Sequence, residues 1–484
     1  MDRKIRKERS CAMNIIKDRI CLFEIENQDI AFDIQTNRIF RIDKTVNPNY
    51  AEILDAVCSA AVDCNSTALQ NIGYEDGSNL ALNINLTPTC NLKCTYCFAQ
   101  GGNYGKLEKP MRSDIIGDIA FLIKNYQTNS RKVRFEFFGG EPLLNFQVIQ
   151  EILDFSRELG KTDQVDFIHR ISTNLTHLEP EMIDVMGDNN FIISISIDGP
   201  KAVQDLFRPY KNNSGSFDTI MENIKAIREK YDHLILIARM TIAQKESPLL
   251  ENIKDLIGTN YFDYVSIYPA SIKNEQDRTA KYQYYFDADI QRQIKEVIAN
   301  YPDLFKYSSR FKGILEYEKI YDQIFNGKIS ISHCAAGGTY YTISGDKSVV
   351  PCHRVCGKND FILNSKTNVL DQNIIREWTG KVDQHQVCSQ CWARYICGGG
   401  CKQEHLSANG DIKTVNRNSC EYHQFILEKL IQAVSKFPAS FNERNINVDD
   451  LFVYCGRPLG SNFRNRTNVE RISQLNGVAL ITQS

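Results

Sequence analysis

Three cysteines stand close together in the segment CNLKCTYC, at positions 90, 94 and 97, and the next cysteine along the chain is Cys334. Cysteine thiolates hold iron–sulfur clusters, and a cubane cluster usually takes four of them. A set of three leaves one iron open to another ligand, as a catalytic zinc site keeps one open position. The spacing alone also fits a structural zinc site or three buried thiols.

A second group of cysteines lies between residues 334 and 420, and its core has the spacing C-x2-C-x5-C-x3-C. Two short-spaced pairs would by themselves indicate a zinc ribbon. Seven cysteines exceed one zinc site, however, and the glycines at 398–400 suit a backbone that folds tightly around inorganic sulfide. The seven are Cys334, Cys352, Cys388, Cys391, Cys397, Cys401 and Cys420.

The composition is that of a globular protein, and 484 residues suffice for several domains at roughly 100–200 residues each. A formal net charge of -2 gives no bulk attraction to nucleic acid or to an anionic membrane. No apolar run approaches the roughly 18 residues of a membrane span, and no apolar core follows the basic start MDRKIRKER. We therefore expect a cytoplasmic protein without nucleic-acid or membrane partners, whose cysteines bind metal rather than form disulfides.

Short apolar runs alternate with amphipathic helical patterns from about residue 80 to residue 270, which predicts six strand–helix repeats. Such repeats require a parallel sheet with right-handed crossovers, either an open doubly wound sheet or a partial barrel. The predicted strands are LALNINLT (80–87), KVRFEFFGG (132–140), FIHRIST (167–173), FIISISIDG (191–199), LILIARMTI (234–242) and YVSIYPA (264–270).

Polar and small residues follow these predicted strands. The cysteine triplet follows the first strand, GGEP (139–142) the second, STN (172–174) the third and DGP (198–200) the fourth, and Arg239 closes the fifth. All of them then gather at the carboxyl ends of the strands, where barrel enzymes place their chemistry. This placement favours the partial barrel.

We predict an α/β fold with a partial (β/α)6, TIM-like barrel over residues 80–300 and a cysteine-rich domain over residues 327–425. A C-terminal helix and tail would occupy residues 426–484, and a small α+β module residues 1–79. In that module ICLFEIE, DIAFDIQ and RIFRID alternate with period two, and NYAEILDAVCSAA follows as a helix. On pattern alone, packing against the barrel is the favoured role of this module.

The C-x3-C-x2-C spacing, with Tyr96 before its last cysteine, resembles the signature of the radical SAM superfamily. The resemblance implies that Cys90, Cys94 and Cys97 hold a [4Fe-4S] cluster whose open iron chelates S-adenosyl-L-methionine (SAM). One electron from the cluster cleaves SAM, and the resulting 5′-deoxyadenosyl radical abstracts hydrogen from the substrate. The resemblance identifies no catalytic side chain.

The same resemblance implies the cofactor contacts. Glu141 in GGEP would pair with the ammonium group of SAM, and the neighbouring glycines would permit close backbone approach. Ser172 and Asn174 match the ribose-contacting region, and Arg239 is placed to meet the SAM carboxylate. Loop capping or a solvated charge is the alternative for these last three. The full set is Tyr96, Gly139, Gly140, Glu141, Ser172, Asn174 and Arg239.

The second cysteine group resembles the SPASM domain that follows many radical SAM barrels and carries two auxiliary [4Fe-4S] clusters. One cluster would then be held by Cys388, Cys391, Cys397 and Cys420, and the cluster nearer the barrel by Cys334, Cys352 and Cys401. The fourth ligand of the nearer cluster is Cys356, a substrate thiolate or none. In the related anaerobic sulfatase maturases an aspartate that serves as catalytic base follows the cysteine equivalent to Cys352, whereas this chain has His353.

SPASM enzymes with an added N-terminal module resemble maturases of ribosomally made peptides, in which a small module binds the leader of the precursor. We therefore predict a radical SAM peptide maturase that forms a thioether or carbon–carbon cross-link in a precursor peptide. Its partners would be that precursor and an electron donor such as a flavodoxin or ferredoxin. Anaerobic sulfatase maturation is the alternative reaction, and a non-catalytic zinc-ribbon protein is the alternative of another class.

Overall fold

A computed structural model describes the greater part of the chain. The described residues are 14–16, 19–25, 28–43, 80–105, 109–126, 132–243, 248–272, 283–284, 286–326, 328–364, 370–434, 436–438, 441, 444 and 478–480. The strands within them are β1 (Asn14–Ile16), β2 (Ile20–Ile25), β3 (Gln28–Asp33), β4 (Arg38–Asp43), β5 (Leu80–Asn85), β6 (Lys132–Phe138), β7 (Asp166–Thr173), β8 (Ile192–Ser196), β9 (Ile235–Ile242), β10 (Tyr264–Pro269), β11 (Ser271–Ile272), β12 (Gln283–Tyr284), β13 (Gly313–Ile314), β14 (Tyr340–Ser344), β15 (Val349–Val350) and β16 (Val478–Leu480).

Helices follow most of the parallel strands, and none of those described has the length and apolar content to cross a membrane. The helix α7 shows how the sequence sets a boundary, because the Asp287 carboxylate caps it by accepting from the Asp289 N–H at 3.0 Å. The helices are α1 (Ile116–Tyr126), α2 (Phe146–Asp163), α3 (Pro180–Asp188), α4 (Lys201–Phe207), α5 (Phe217–Lys230), α6 (Leu249–Gly258), α7 (Ala288–Ala299), α8 (Tyr301–Leu304), α9 (Leu315–Phe325), α10 (Gln372–Trp378), α11 (Arg394–Cys397), α12 (Lys402–Asn409) and α13 (Arg417–Val434).

The large sheet has the order β13-β10-β9-β8-β7-β6-β5-β14-β15, and every neighbouring pair except β14–β15 is parallel. The six predicted strands are its centre, β5 to β10, so the predicted α/β fold is confirmed. The sequence did not predict that β13 and β14 would extend the sheet, since both lie beyond the strand–helix repeats.

The two faces of this sheet differ in polarity, although parallel strands covered on both faces usually read as continuous apolar runs. One face carries a row of fully buried apolar side chains in register: Ile84, Phe137, Ile171, Ile193 and Leu236. The opposite face, called the polar face below, carries Asn83, Glu136, Arg170, Ser172, Ser194, Ser196, Arg239 and Ser266. Because polar side chains in such numbers need partners, the polar face is the side of the sheet suited to a polar ligand.

The N-terminal residues form an antiparallel sheet of order β1-β2-β3-β4-β16. Phe23 and Phe32 contact the Trp392 ring, with centroid distances of 5.5 and 6.2 Å, and Asn37 Nδ2 donates to the Lys328 carbonyl at 2.8 Å. Trp392 and Lys328 belong to the cysteine-rich region, so these contacts join the N-terminal sheet to that region. The strand β4 also contacts α9, which packs on β10 of the large sheet. The predicted role of this module, packing on the barrel, stays a prediction.

Two further expectations concern the ends of the chain. The helix predicted from NYAEILDAVCSAA lies outside the described residues. The boundary predicted at residue 426 falls inside α13, which begins at Arg417 and carries Cys420 near its start. The polar C-terminal sequence gave no sign of β16, which pairs antiparallel with β4 through Val478↔Ile42 and Leu480↔Phe40.

Candidate active site

The cysteine triplet, Cys90, Cys94 and Cys97, lies on the loop after β5, at the carboxyl ends of the parallel strands. The side-chain amide of Asn174, from the loop after β7, lies 3.5 Å from Cys90 Sγ. The Gly101 N–H donates to Cys97 Sγ at 3.3 Å. Hydrogen bonds to sulfur are one of the means by which proteins tune iron–sulfur clusters, so these surroundings fit a cluster held by the triplet.

Burial controls the protonation of these thiols. It raises the pKa of Cys90 to about 12, and it also raises the pKa of Cys94, where the charge of Arg208 and its hydrogen bond to the sulfur act in the opposite direction. Metal ligands bind as thiolates, so loading a cluster here must displace protons from neutral thiols.

The GGEP segment packs directly on the backbone that leads into the triplet. The Gly140 N–H donates to the Thr87 carbonyl at 2.8 Å. A Cβ on Gly140 would lie 2.2 Å from the Thr89 carbonyl oxygen, and Gly139 has a φ of 145°. Both positions therefore require glycine, and the reason visible here is close packing on the triplet loop. Their predicted contact with SAM stays a prediction.

Glu141 is buried, with 1% of its surface exposed, and its carboxylate accepts three hydrogen bonds. The donors are Thr173 Oγ1 at 2.5 Å, the Asn174 N–H at 2.7 Å and the Leu143 N–H at 3.2 Å. Burial raises the pKa of Glu141 to about 7, although these bonds lower it. A carboxylate has about four acceptor sites, so one remains for the predicted ammonium group of SAM.

The residues predicted to contact ribose have partners within the protein. Asn174 Nδ2 donates to Asn91 Oδ1 at 2.9 Å, and Asn174 Oδ1 accepts from the Thr176 N–H at 3.0 Å. Asn174 therefore ties the loop after β7 to the triplet loop, a contact that differs from the predicted one. Ser172 is half-buried on β7, beside Ser194 of β8.

Arg239 is the exposed residue of β9, between Ala238 and Met240, which are buried. Desolvation by the surrounding protein nevertheless lowers its pKa, and the charge of Arg170 lowers it further. Exposure and desolvation together fit a guanidinium on the polar face near the strand ends. The neighbouring Glu316 raises the same pKa, so an anion at this site would add to an existing acidic partner.

Four of the later cysteines, called the four-cysteine set below, lie within electrostatic range of one another: Cys388, Cys391, Cys397 and Cys420. Burial raises the pKa of Cys397 to about 12 and that of Cys388 to about 11. Gln424 Nε2 on α13 donates to Cys391 Sγ at 3.3 Å. The structure thus groups the same four residues that the SPASM resemblance assigned to one cluster.

Three further cysteines form an inner set: Cys334, Cys352 and Cys401. The Arg354 N–H donates to Cys352 Sγ at 3.4 Å. The thiol of Cys356 lies elsewhere: it accepts from Ser344 Oγ at 3.5 Å. No cysteine is among the groups that act most strongly on its pKa, which burial raises to about 11. The position of Cys356 therefore does not support it as the fourth member of the inner set.

The three glycines between Cys397 and Cys401 all adopt left-handed backbone, with φ of 69°, 92° and 77°. The N–H groups of Gly399 and Gly400 donate to the Cys397 sulfur and lower its pKa. A Cβ on Gly398 would lie 2.3 Å from the Ser332 carbonyl carbon. Only glycine meets both demands, so this run shapes the backbone between the two sets.

The zinc-ribbon alternative requires ligand atoms that converge on one ion. A tetrahedral zinc site holds its sulfurs at about 2.3 Å from the metal. No group of three His, Cys, Asp or Glu side chains converges on a single ion within the described ranges. Iron and zinc contents of the anaerobically purified protein distinguish the zinc-ribbon alternative from the cluster assignment.

His353 follows Cys352, at the position where the family resemblance implies the catalytic aspartate of sulfatase maturases. Its Nδ1 shares a hydrogen bond of 2.9 Å with the Tyr340 hydroxyl, and its ring centroid lies 4.9 Å from that of Phe138. Burial lowers the pKa of His353 to about 3, and Arg354 lowers it further, so the imidazole is neutral near pH 7. This chain therefore has a neutral imidazole ring where the resemblance implies a carboxylate in sulfatase maturases.

Sequence reasoning missed part of the site. Tyr96 was expected at the cofactor, and its hydroxyl donates to Asp198, the aspartate of the DGP motif, to which no role had been given. Arg208 pairs with the same carboxylate at 3.0 Å, and the sequence patterns assign no role to this arginine. The signal available was an aspartate directly after a buried strand, but its partner cannot be read from one sequence.

Residues 84–256 match the family model described as the Radical SAM superfamily. The chain therefore carries a radical SAM domain, and its homologues are enzymes. This confirms the family resemblance and the predicted enzyme class.

The relatives define the kind of radical SAM enzyme more closely. A cysteine-type anaerobic sulfatase-maturating enzyme of Clostridium novyi (strain NT) is 24% identical over 364 residues, which are 72% of this chain and 93% of that enzyme. The radical SAM cyclopropyl synthase TigE of Paramaledivibacter caminithermalis is 21% identical, covering 73% of this chain and 74% of that protein. Native anSMEcpe with bound AdoMet has a TM-score of 0.60 at 19% identity over 74% of this chain and 99% of its own, which shows the shared fold.

Proposed function

We propose that this protein is a radical SAM maturase that cross-links a ribosomally made precursor peptide. The observation that carries the proposal is that the β4 edge accepts an extended segment, because β16 pairs antiparallel with β4. Strand addition to a sheet edge is a general way to bind an extended peptide through its main chain. A sheet of this kind beside a radical SAM barrel suits a leader peptide whose core segment reaches the strand ends.

The residues at the strand ends take the following roles in this proposal. The triplet holds the cluster that, with SAM bound, supplies the 5′-deoxyadenosyl radical. Glu141 orients the SAM ammonium group with its remaining acceptor site, and Arg239 on the polar face binds the carboxylate. The protein's own work is orientation and exclusion of water, because the cofactor carries the difficult bond cleavage.

The four-cysteine set and the inner set hold two auxiliary clusters in this proposal, which makes about 12 irons per chain at four irons each. No fourth member of the inner set is found among the described cysteines, which leaves a place for a substrate thiolate in this proposal. The product is then a thioether or a carbon–carbon bond, formed with the loss of two hydrogen atoms from the peptide. One would leave with 5′-deoxyadenosine, and the other would leave as a proton released to water and an electron that the auxiliary clusters would pass to an external electron carrier.

The experiment offers two substrate classes to the anaerobically reconstituted full chain. One probe is the set of short peptides encoded beside the gene, and the other is a synthetic sulfatase-derived peptide with its target cysteine. We expect a mass loss of two hydrogen atoms in a neighbouring peptide and no formylglycine in the sulfatase peptide. Formylglycine without any cross-linked product would contradict the proposal.

A deletion tests the binding surface separately. A chain that ends before Val478 lacks β16, so a leader would no longer compete with it for the β4 edge. We expect tighter precursor binding and unchanged formation of 5′-deoxyadenosine without substrate. Equal affinity for the full and shortened chains would remove the β4 edge from the proposal while leaving the reaction itself open to the mass measurement.

Anaerobic sulfatase maturation is the second candidate. It is favoured by the alignment with the Clostridium novyi enzyme, which covers 93% of that enzyme. His353, neutral and held by Tyr340, counts against it, because the resemblance places an aspartate base there. Replacing His353 with Asp is the sharp comparison: gain of formylglycine formation in the variant alone would locate the difference between the two reactions at this residue.

A further inference from the structure

A short segment after α4 runs along the triplet loop. The Thr95 N–H donates to the Phe207 carbonyl at 3.0 Å, and the Lys93 N–H donates to the Pro209 carbonyl at 3.0 Å. These two bonds alternate along the loop, as in a short antiparallel ladder. The backbone on either side of residue 208 is therefore fixed against the backbone between the first and last cysteines of the triplet.

The side chain between those two carbonyls points into the site. Arg208 is buried, with 8% of its surface exposed, and its Nε and NH2 atoms each lie 3.0 Å from an oxygen of Asp198. Its guanidinium carbon lies 5.2 Å from the ring centroid of Tyr96, the residue between Cys94 and Cys97. The planar fork of arginine matches a carboxylate in two places at once, so this pair has a defined orientation.

Asp198 connects the same group to the sheet. It is 3% exposed and follows β8, and the Thr241 N–H on β9 donates to its Oδ1 at 2.9 Å. The Tyr96 hydroxyl donates to its other oxygen. The carboxylate thus joins two adjacent strand ends, Arg208 and the triplet loop, in one buried network.

We propose that Arg208 and Asp198 form a positioning pair that holds the triplet loop in the geometry of the SAM-binding cluster. Asp198 fixes the guanidinium and the Tyr96 hydroxyl, and the guanidinium places its positive charge beside Cys94. A positive charge there favours the more negative, reduced form of a cluster, so Arg208 also raises its reduction potential, and the Asp198 carboxylate acts in the opposite direction. The Arg208 side chain is within hydrogen-bonding reach of the Cys94 sulfur, in agreement with that placement.

The proposal rests on the triplet as the cluster site and is independent of the peptide that the enzyme modifies.

A matched control exists in the same domain. Arg228 and Asp263 form another buried pair, with a distance of 2.7 Å, at the opposite end of β9. Arg228→Gln should therefore destabilise the fold and leave the cluster unchanged.

The experiment uses the full chain, reconstituted anaerobically, and three measurements: the change in the EPR spectrum on adding SAM, the midpoint potential of the cluster that responds, and the thermal midpoint of unfolding. For Arg208→Gln we expect a lower potential, a weaker spectral response and SAM affinity reduced about tenfold, as for loss of a hydrogen bond to a charged group. Arg208→Lys keeps the charge without the fork, so we expect a potential near that of the unchanged protein and a spectral response still reduced.

Asp198→Asn provides a second test of the pair if the Arg208→Gln variant does not fold. It keeps the shape of the carboxylate and removes its charge, and we expect the same loss of spectral response. The proposal is overturned if the folded variants at 208 and 198 lower only the unfolding temperature, as Arg228→Gln does, while potential, SAM response and affinity stay unchanged. It is overturned as well if the unchanged protein shows no SAM-responsive cluster, and that result would refute the triplet assignment itself.

Discussion

The triplet loop and the four-cysteine set both offer cysteine thiols as ligands, but they differ in how open their surroundings are. The triplet lines an open pocket of about 470 Å³, a size within the range of small-molecule sites. The four-cysteine set is partly covered: Cys388 is 6% exposed, its other three members are half-buried like the triplet cysteines, and Trp392, next to Cys391, is packed against Phe23 and Phe32 of the N-terminal sheet. An incomplete set that is open is suited to bind and cleave a cofactor, whereas a complete set that is covered is suited to carry electrons or to hold the fold.

Removing the triplet should produce the largest effect. With Cys90, Cys94 and Cys97 all changed to Ala, we expect reductive cleavage of SAM to be abolished, because these three cysteines, on the loop after β5, hold the proposed SAM-binding cluster. The four-cysteine and inner sets should keep their clusters, so iron content should fall by only about four per chain. The measurements are 5′-deoxyadenosine formation and iron content.

The matched variant changes Cys388, Cys391 and Cys397 to Ala. We expect a similar loss of iron with SAM cleavage retained in the absence of substrate. The contrast between open and covered sets would fail if both triple variants lost cleavage equally, or if the triplet variant formed 5′-deoxyadenosine at the parent rate.

The second effect concerns the cover of the four-cysteine set. Trp392→Ala removes the side chain on which Phe23 and Phe32 pack, and we expect a loss of about 3–5 kcal/mol in the free energy of unfolding. Precursor affinity should fall as well, since the N-terminal sheet loses its anchor. Denaturant unfolding and a binding titration measure the two quantities.

Trp378 provides the control, because it is also buried, at 2% exposure, but packs on Phe361, away from the N-terminal sheet. Trp378→Ala should cost similar stability and spare precursor affinity. Equal losses of affinity in both variants would show that the sheet responds to global stability and not to its anchor at Trp392.

How far the sequence predicted these regions depends on the range of the interactions involved. The six central strands and the triplet follow from local periodicity and spacing, whereas the grouping of the later cysteines follows from the family resemblance. The pairing of Tyr96 with Asp198 joins residues that are 102 positions apart, and Asn37 meets Lys328 across 291 positions. Such contacts are fixed by the packing of the whole fold, so local patterns carry no signal for them. The same reason explains why β16 was missed.

A smaller effect should appear in the pH dependence of the triplet region. Glu141 has a pKa of about 7 in the folded protein, raised by burial from 4.5. The folded state then binds more protons than the unfolded state between these values, so this contribution to stability is present below pH 4.5 and is lost as pH rises through 7. The loss amounts to about 3 kcal/mol.

Glu141→Gln should flatten stability across this pH window in the protein without SAM, as measured by denaturant unfolding at several pH values. Saturating SAM should flatten it in the unchanged protein too, because an ammonium partner favours the charged carboxylate. Glu158→Gln, at an exposed carboxylate on α2, should leave the slope as it is. A slope that is the same in the Glu141 and Glu158 variants would assign the pH dependence to other groups.

The smallest effect is expected at Cys356, and it tests whether the inner set is incomplete like the triplet or complete like the four-cysteine set. Cys356 lies against Ser344, outside the inner set, so Cys356→Ser should keep the iron content and change the free energy of unfolding by less than about 1 kcal/mol. Cys352→Ser, its matched control four residues earlier, should lose about four irons. If both serine variants lost the same iron, Cys356 would complete the inner set, and the open position proposed for a substrate thiolate would not exist.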